Sequence, residues 1–301
     1  LQALLHLFHY DFVQNAYLAG TIVALVAAVM GYFVVLRAQA FASEAMSDIG
    51  LAGAAGAALL GVGSLLGMFC LTILAALGMG ALGERLRGRD VEIGMILSFA
   101  LGLGALFLII YSQTGTNAAV GINVLFGSIV SVTRGDVLIT LYTGLATLLC
   151  IALLFRPLLF ASIDPEVAQT RGVPVRLLSM LFLVLLAIAT AEAILVVGAL
   201  LVLALLIAPA ATALSLTRRP LTSLLLSIAL GLVIIWGGLT LALVGPGRHL
   251  PVGFFIATLA TLFYLVSLPL KRLRSSRHIV TQPRPCKHPC NEYSSMAGRG
   301  H

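Results

Sequence analysis

The sequence predicts an all-α polytopic membrane protein with about nine transmembrane helices plus a short re-entrant or surface helix. Three observations carry this. Of 301 residues, 60% are hydrophobic and only 10% charged, and mean hydropathy is +1.09, a balance that no soluble domain of this length shows. The apolar residues fall in runs long enough to cross a hydrocarbon core. The basic residues punctuate those runs and do not gather into a face with interleaved aromatics. The formal charge of +7 therefore reads as membrane topology, and no nucleic-acid partner is expected.

The elements follow in chain order, in three parts: an interfacial N-terminal segment over 1–15, a transmembrane domain over 16–270 and a disordered cytoplasmic tail over 271–301. The opening LQALLHLFHYDFVQN places Leu4, Leu5, Leu7, Phe8 and Phe12 on one side of a helix, as a segment lying along the bilayer does. It has no basic region ahead of an apolar core, so it does not read as a cleavable signal, and the start at Leu1 suggests a trimmed or incomplete end. Spans are expected at Ala16–Leu36, from Glu44 to about Leu60, at Leu65–Leu82 and at Val91–Tyr111. Ala118–Val132 is apolar but short for a crossing, and is read as re-entrant or surface-lying. Further spans follow at Val137–Phe155, Arg176–Ala191, Ala193–Leu216, Leu221–Val244 and Val252–Leu270. The tail then turns polar and proline-containing.

Charge orients the chain. With Lys271, Arg272, Arg274 and Arg277 in the cytoplasm, Arg218, Arg219, Arg156, Arg171, Arg176, Arg85, Arg87, Arg89 and Arg37 fall on the same side. Only Arg134 and Arg248 fall opposite. This obeys the positive-inside rule, with the N-terminus outside and the C-terminus cytoplasmic. It holds only if Ala118–Val132 does not cross.

The most informative stretch is RAQAFASEAMSDIGLAGAAGAALLG, Arg37 to Gly61. Glu44 and Asp48 lie one helical turn apart on one face, and ionisable groups inside a membrane tend to line a polar path. The competing reading places both at the cytoplasmic interface, snorkelling or capping, with Ser43 or Ser47 as a helix start. Asp48 is about 6 Å deeper than Glu44. Behind them, Gly50, Gly53 and Gly56 form a surface flat enough for another helix. Glu192, between two apolar runs, is expected at an external turn; it is either a solvated turn residue or a collector of cations at an external mouth. In IDPEVAQTRG, Asp164 caps a short helix with Pro165 at its first position, Glu166, Val167, Ala168 and Arg171 follow, and Gly172 stops it. Pro209 should kink its span. Cys70 and Cys150 read as packing residues. CKHPC, with His278, His288 and His301 nearby, lacks the spacing of a structural zinc site.

Five quoted stretches resemble the integral membrane subunits of ATP-binding-cassette importers for manganese, zinc and ferrous iron. They are GYFVVLRAQAFASEAMSDIGLAGAAGAALLG, GINVLFGSIVSV, IDPEVAQTRGVPV, VVGALLVLALLIAPAATA and PVGFFIATLATLFYLVSL, spread over about Val13 to Leu270. The resemblance implies a permease in the cell (inner) membrane that works as a homo- or heterodimer. Cytoplasmic ABC ATPase subunits would drive it, and an extracellular or periplasmic metal-binding protein would supply it. It also implies that Asp164–Gly172 is the ATPase-coupling segment, and that the metal path uses an acidic residue and a histidine four apart at positions matching Glu44 and Asp48. Here a carboxylate stands where histidine is commonest, and oxygen-only ligands favour manganese or ferrous iron over zinc in ligand preference. No tightly bound cofactor is expected beyond the transported divalent ion.

The chain is not expected to be an enzyme. It lacks GxxxxGK followed by Ser or Thr, so ATP hydrolysis would sit on a separate subunit. None of its histidines falls within a predicted span, which argues against an intramembrane metalloprotease. A secondary, ion-gradient-driven metal transporter is the remaining rival; it would show inverted repeats, and no clear repeat is visible.

Overall fold

The computed structural model describes residues 11–82, 89–113, 127, 132–217, 219–244 and 252–279. The described residues form ten helices. These are α1 (Asp11–Leu36), α2 (Ala40–Leu59), α3 (Ser64–Leu82), α4 (Arg89–Gln113), α5 (Arg134–Ile163), α6 (Pro165–Thr170), α7 (Val175–Val197), α8 (Ala199–Leu216), α9 (Pro220–Val244) and α10 (Val252–Ile279). Seven of them, α1, α3, α5 and α7–α10, are long and apolar enough to cross a membrane. No strand occurs among the described residues.

α1 is the central helix because it is apolar all round, and such a helix has no face to offer water. Its small and branched residues let α5, α7, α8 and α9 approach from different sides. Met30 and Phe33 belong to one core with Met46, Ile49, Leu158, Phe182 and Leu186. Toward the other end, Ala19 and Val23 pack with Ile194, Val197, Leu205, Ile235 and Ile256. Gly31 permits the closest crossing: a Cβ there would strike the Leu206 carbonyl oxygen of α8. By contrast, α5 exposes Leu138, Leu141, Tyr142, Leu145, Leu149 and Leu153, an outer stripe suited to lipid tails.

The two ends of the bundle differ. At one, Arg134 pairs with Asp11 at 3.0 Å, both exposed, and Asn15 Nδ2 donates to the Val132 carbonyl at 3.4 Å. At the other, Arg37 Nε donates to Ser162 Oγ at 2.9 Å, beside α6. α1 connects the two.

Several expected boundaries shift. The break between the spans around Glu192 falls at Gly198, whose φ of 95° suits glycine. α5 continues through Arg156 and Pro157 to Ile163, whereas α8 ends at Leu216 as expected, with Pro209 inside it. α10 runs to Ile279, beyond the expected end at Leu270. Most of Ala118–Val132, the basic loop at 83–88 and the tail from 280 lie outside the described residues, as does 1–10 of the interfacial segment.

Candidate functional site: an acidic turn beside a helix break

α2 begins immediately after a tight corner. Gln39 N donates to Val34 O at 2.8 Å and Ala38 N to Val35 O at 3.2 Å, the paired bonds of a Schellman closure, with Ala38 at φ 53° where glycine is usual. Gln39 is the N-cap and makes no side-chain cap bond. Ser43 and Ser47 do not cap the helix. Ser43 Oγ donates to Ala40 O at 2.7 Å, and Ser47 Oγ crosses to Ala199 O at 2.8 Å.

Glu44 and Asp48 are both half-buried, one turn apart. Ser47, about 100° round the helix from Asp48, fixes one flank against the start of α8. Ala52, one turn beyond Asp48, fixes the other: it lies where a Cβ on Gly104 of α4 would touch it at 3.1 Å. The two carboxylates thus share a strip bounded by α8 and α4. The glycine row is divided among neighbours and does not seat a single helix: Gly50 faces Ile194 and Thr72, Gly53 faces Gly67, and Gly56 faces Phe107.

Depth follows from these contacts. Gly50 lies against Ile194, about 28 Å along α7 from Val175 at 1.5 Å per residue. Asp48 therefore lies level with the last turns of α7, in the half of the bundle remote from α6. This sets Asp48 away from the Arg37 corner, which lies at the α6 end.

The Gly198 break next to this strip is tightly built. Gly127, at φ 72°, packs so closely on the Val197 carbonyl and Gly198 nitrogen that a side chain there would collide. One residue of the Ala118–Val132 stretch therefore meets the break whose next residue, Ala199, accepts from Ser47. The glycine of VVGALLV is the sequence signal for this break; the more polar Glu192 is not where the chain turns.

Glu192 is not at an external turn. It lies within α7, only 2% exposed, on a different face from Ile194. A Cβ on Gly144 of α5 would touch its Oε1 at 2.9 Å and Ile22 of α1 at 2.8 Å. Among the described residues neither carboxyl oxygen has a donor in full hydrogen-bonding geometry; the Thr143 hydroxyl lies close enough to interact with the carboxyl and donates to Ile139 O at 2.9 Å.

α6 folds as its residues dictate. Asp164 Oδ1 accepts from Val167 N at 3.1 Å, and Pro165 occupies the first turn. Gly172, at φ 80°, lets Val173 N return to Ala168 O at 3.1 Å. Ala168 is the inward anchor, while Ile163, Pro165, Glu166, Val167 and Arg171 are exposed. Cys70 and Cys150 lie exposed on helix surfaces and do not pack the core. Among the described residues no group of three or more His, Cys, Asp or Glu could hold a metal ion; CKHPC lies outside them.

Comparison with known proteins agrees with this architecture. The model of the ABC 3 transport family matches residues 9–271. The chain is 35% identical over 228 residues to the manganese transport system membrane protein MntC of Halalkalibacterium halodurans, covering 75% of this chain and 77% of that one. It is 33% identical over 274 residues to the manganese import system permease protein ScaB of Streptococcus parasanguinis, covering 90% and 95%. The chelated iron transport system membrane protein YfeC of Yersinia pestis is 32% identical over 268 residues, covering 88% of each. Among solved structures, PsaBC from Streptococcus pneumoniae in complex with Fab superposes with a TM-score of 0.80 at 29% identity, over 92% of this chain and 99% of that one. With its apolar helices and its match across nearly the whole length, this multi-pass membrane protein belongs to the ABC 3 transport family.

Proposed function

We propose that the chain is the permease subunit of an ATP-driven importer of divalent transition-metal ions, with Glu44 and Asp48 as ligands on the ion's path. The observation that carries this is their placement: two half-buried carboxylates on one strip of α2, away from the α6 end and bounded by α4 and α8. Carboxylates are hard donors suited to manganese or ferrous iron, in keeping with relatives named for manganese and chelated iron transport. Two carboxylates leave an octahedral ion several positions short. Waters, or the same turn of a second copy, would fill them. Incomplete coordination suits a transported ion, which must be held firmly enough to enter and weakly enough to leave.

In this reading α2 and α4 also cross the membrane, giving nine crossings with the N-terminus outside and the C-terminus cytoplasmic. The basic residues at the α6 end then face the cytosol. A metal-binding protein delivers the ion at the opposite end. The exposed Ile163, Pro165, Val167, Glu166 and Arg171 of the α6 region engage an ATPase subunit, which supplies the nucleotide chemistry this chain lacks. Family membership favours this reading over an ion-gradient-driven carrier.

The test is uptake of Mn(II), Zn(II) and Fe(II) into vesicles holding the permease with its ATPase. Asp48→Ala should abolish ATP-dependent uptake while the complex still assembles. Wild-type uptake in that variant would remove Asp48 from the path.

A further inference from the structure

At the α6 end, Arg37 joins the three helices that meet there. Its Nε donates to Ser162 Oγ at 2.9 Å, and its guanidinium lies 5.1 Å from the Phe182 ring centroid. Ser162 lies just ahead of Asp164, the cap of α6, and Phe182 lies early in α7, the helix that leaves α6. Beneath them Phe33 of α1 meets Phe155 of α5 edge-on at 5.7 Å and Phe182 at 6.4 Å. On its other side Arg37 runs directly into the Ala38–Gln39 corner, after which α2 carries Glu44 and Asp48.

We infer that Arg37 is the positioning residue through which a displacement of α6 reaches the acidic turn of α2. This rests on the reading of α6 as the ATPase-facing segment and of Glu44 and Asp48 as ion ligands. α6 packs on α5 and α7, the helices it connects, so a push on it moves Ser162, Phe182 or both. A guanidinium held by a hydrogen bond and by a ring face has its plane fixed, and it follows those partners where a freely rotating ammonium would slip. The corner cannot absorb the shift as a loose loop would. It is closed by two backbone hydrogen bonds around Ala38, and Gln39 is only 5% exposed. Closely packed elements of this kind move between discrete arrangements and do not deform smoothly. Movement at Arg37 therefore tilts α2, and with it the carboxylates that lie against α8 through Ser47.

The test uses the complete transporter, isolated with its ATPase and reconstituted in proteoliposomes, with Mn(II) as the probe. Each variant gives two readings, Mn(II) taken up and ATP hydrolysed. Arg37→Ala should keep hydrolysis within about twofold yet lower Mn(II) moved per ATP by roughly five- to tenfold. Ser162→Ala should do so less, and Arg37→Lys should recover part of the loss. The double variant Arg37→Ala with Ser162→Ala should be no worse than Arg37→Ala alone, as expected of one shared contact. If Arg37→Ala does not assemble, Arg37→Lys and Ser162→Ala carry the comparison. An unchanged ratio in these variants overturns the inference, as does a parallel fall in hydrolysis, uptake and yield. A wild-type complex that hydrolyses ATP but moves none of Mn(II), Zn(II) or Fe(II) overturns the functional reading itself, and this inference with it.

Discussion

The Ser47 hydroxyl reaches the Ala199 carbonyl at 2.8 Å and ties the acidic turn of α2 to the residue where α8 leaves the Gly198 break. Both partners are buried. Ser47→Ala should cost about 1 kcal/mol, the net worth of one such bond, and should also free the turn carrying Asp48. The expected result is a lower thermal midpoint in detergent together with reduced metal uptake. Uptake at the wild-type rate would show that this tie does not hold the carboxylates in place.

Gly31→Ala tests the crossing of α1 over α8. The added methyl would run into the Leu206 backbone carbonyl, which cannot rotate away as a side chain can. Overpacking of this kind costs about 1–3 kcal/mol. Thermal unfolding should show a clear loss, whereas Gly63→Ala, with nothing within 4 Å of the new atom, should be nearly neutral.

Ala38→Gly should stabilise the protein. Ala38 holds a left-handed conformation at φ 53°, which costs a residue with a Cβ about 1–2 kcal/mol. Glycine relieves that strain and keeps the two closing hydrogen bonds, which are made by the backbone. A higher thermal midpoint is expected, and Ala38→Val should lower it.

Glu192→Met should leave stability unchanged or raise it. The carboxyl is buried against Gly144 and Ile22, and among the described residues only the Thr143 hydroxyl, outside full hydrogen-bonding geometry, offers it compensation. Replacing a poorly compensated buried polar group by an apolar one of similar size is often neutral or favourable. Metal uptake should persist, because Glu192 faces α1 and α5, away from the Glu44–Asp48 strip. Loss of uptake in a folded Glu192→Met variant would return Glu192 to the transport path.

Much of the fold is written in local chemistry. The short helix α6 is the clearest case: Asp164, Pro165 and Gly172 each act through the backbone within a few residues, so cap, start and stop appear where the sequence puts them. The shared face of Glu44 and Asp48 is equally local, a consequence of helical period. Glu192 misled for a physical reason. A carboxylate between apolar runs looks like a turn, but a helix satisfies its own backbone whatever side chain it carries, and the chain turned where Gly198 could take a φ of 95°. The divided glycine row was illegible for a related reason. Spacing says that a surface is flat, not which helices lie on it.

Composition and period alone determined that the chain is a bundle of membrane-crossing helices, that one helix carries two acids on one face, and that a capped turn links α5 to α7. These are short-range properties, set by hydrophobic length and by backbone bonds between near neighbours. Only tertiary packing decided how deep Asp48 lies, that Ser47 reaches Ala199, that Glu192 is enclosed, and that Arg37 meets Ser162 and Phe182. Each depends on which helices become neighbours, and that is settled by close approaches such as Gly31 to Leu206 between residues far apart in the chain.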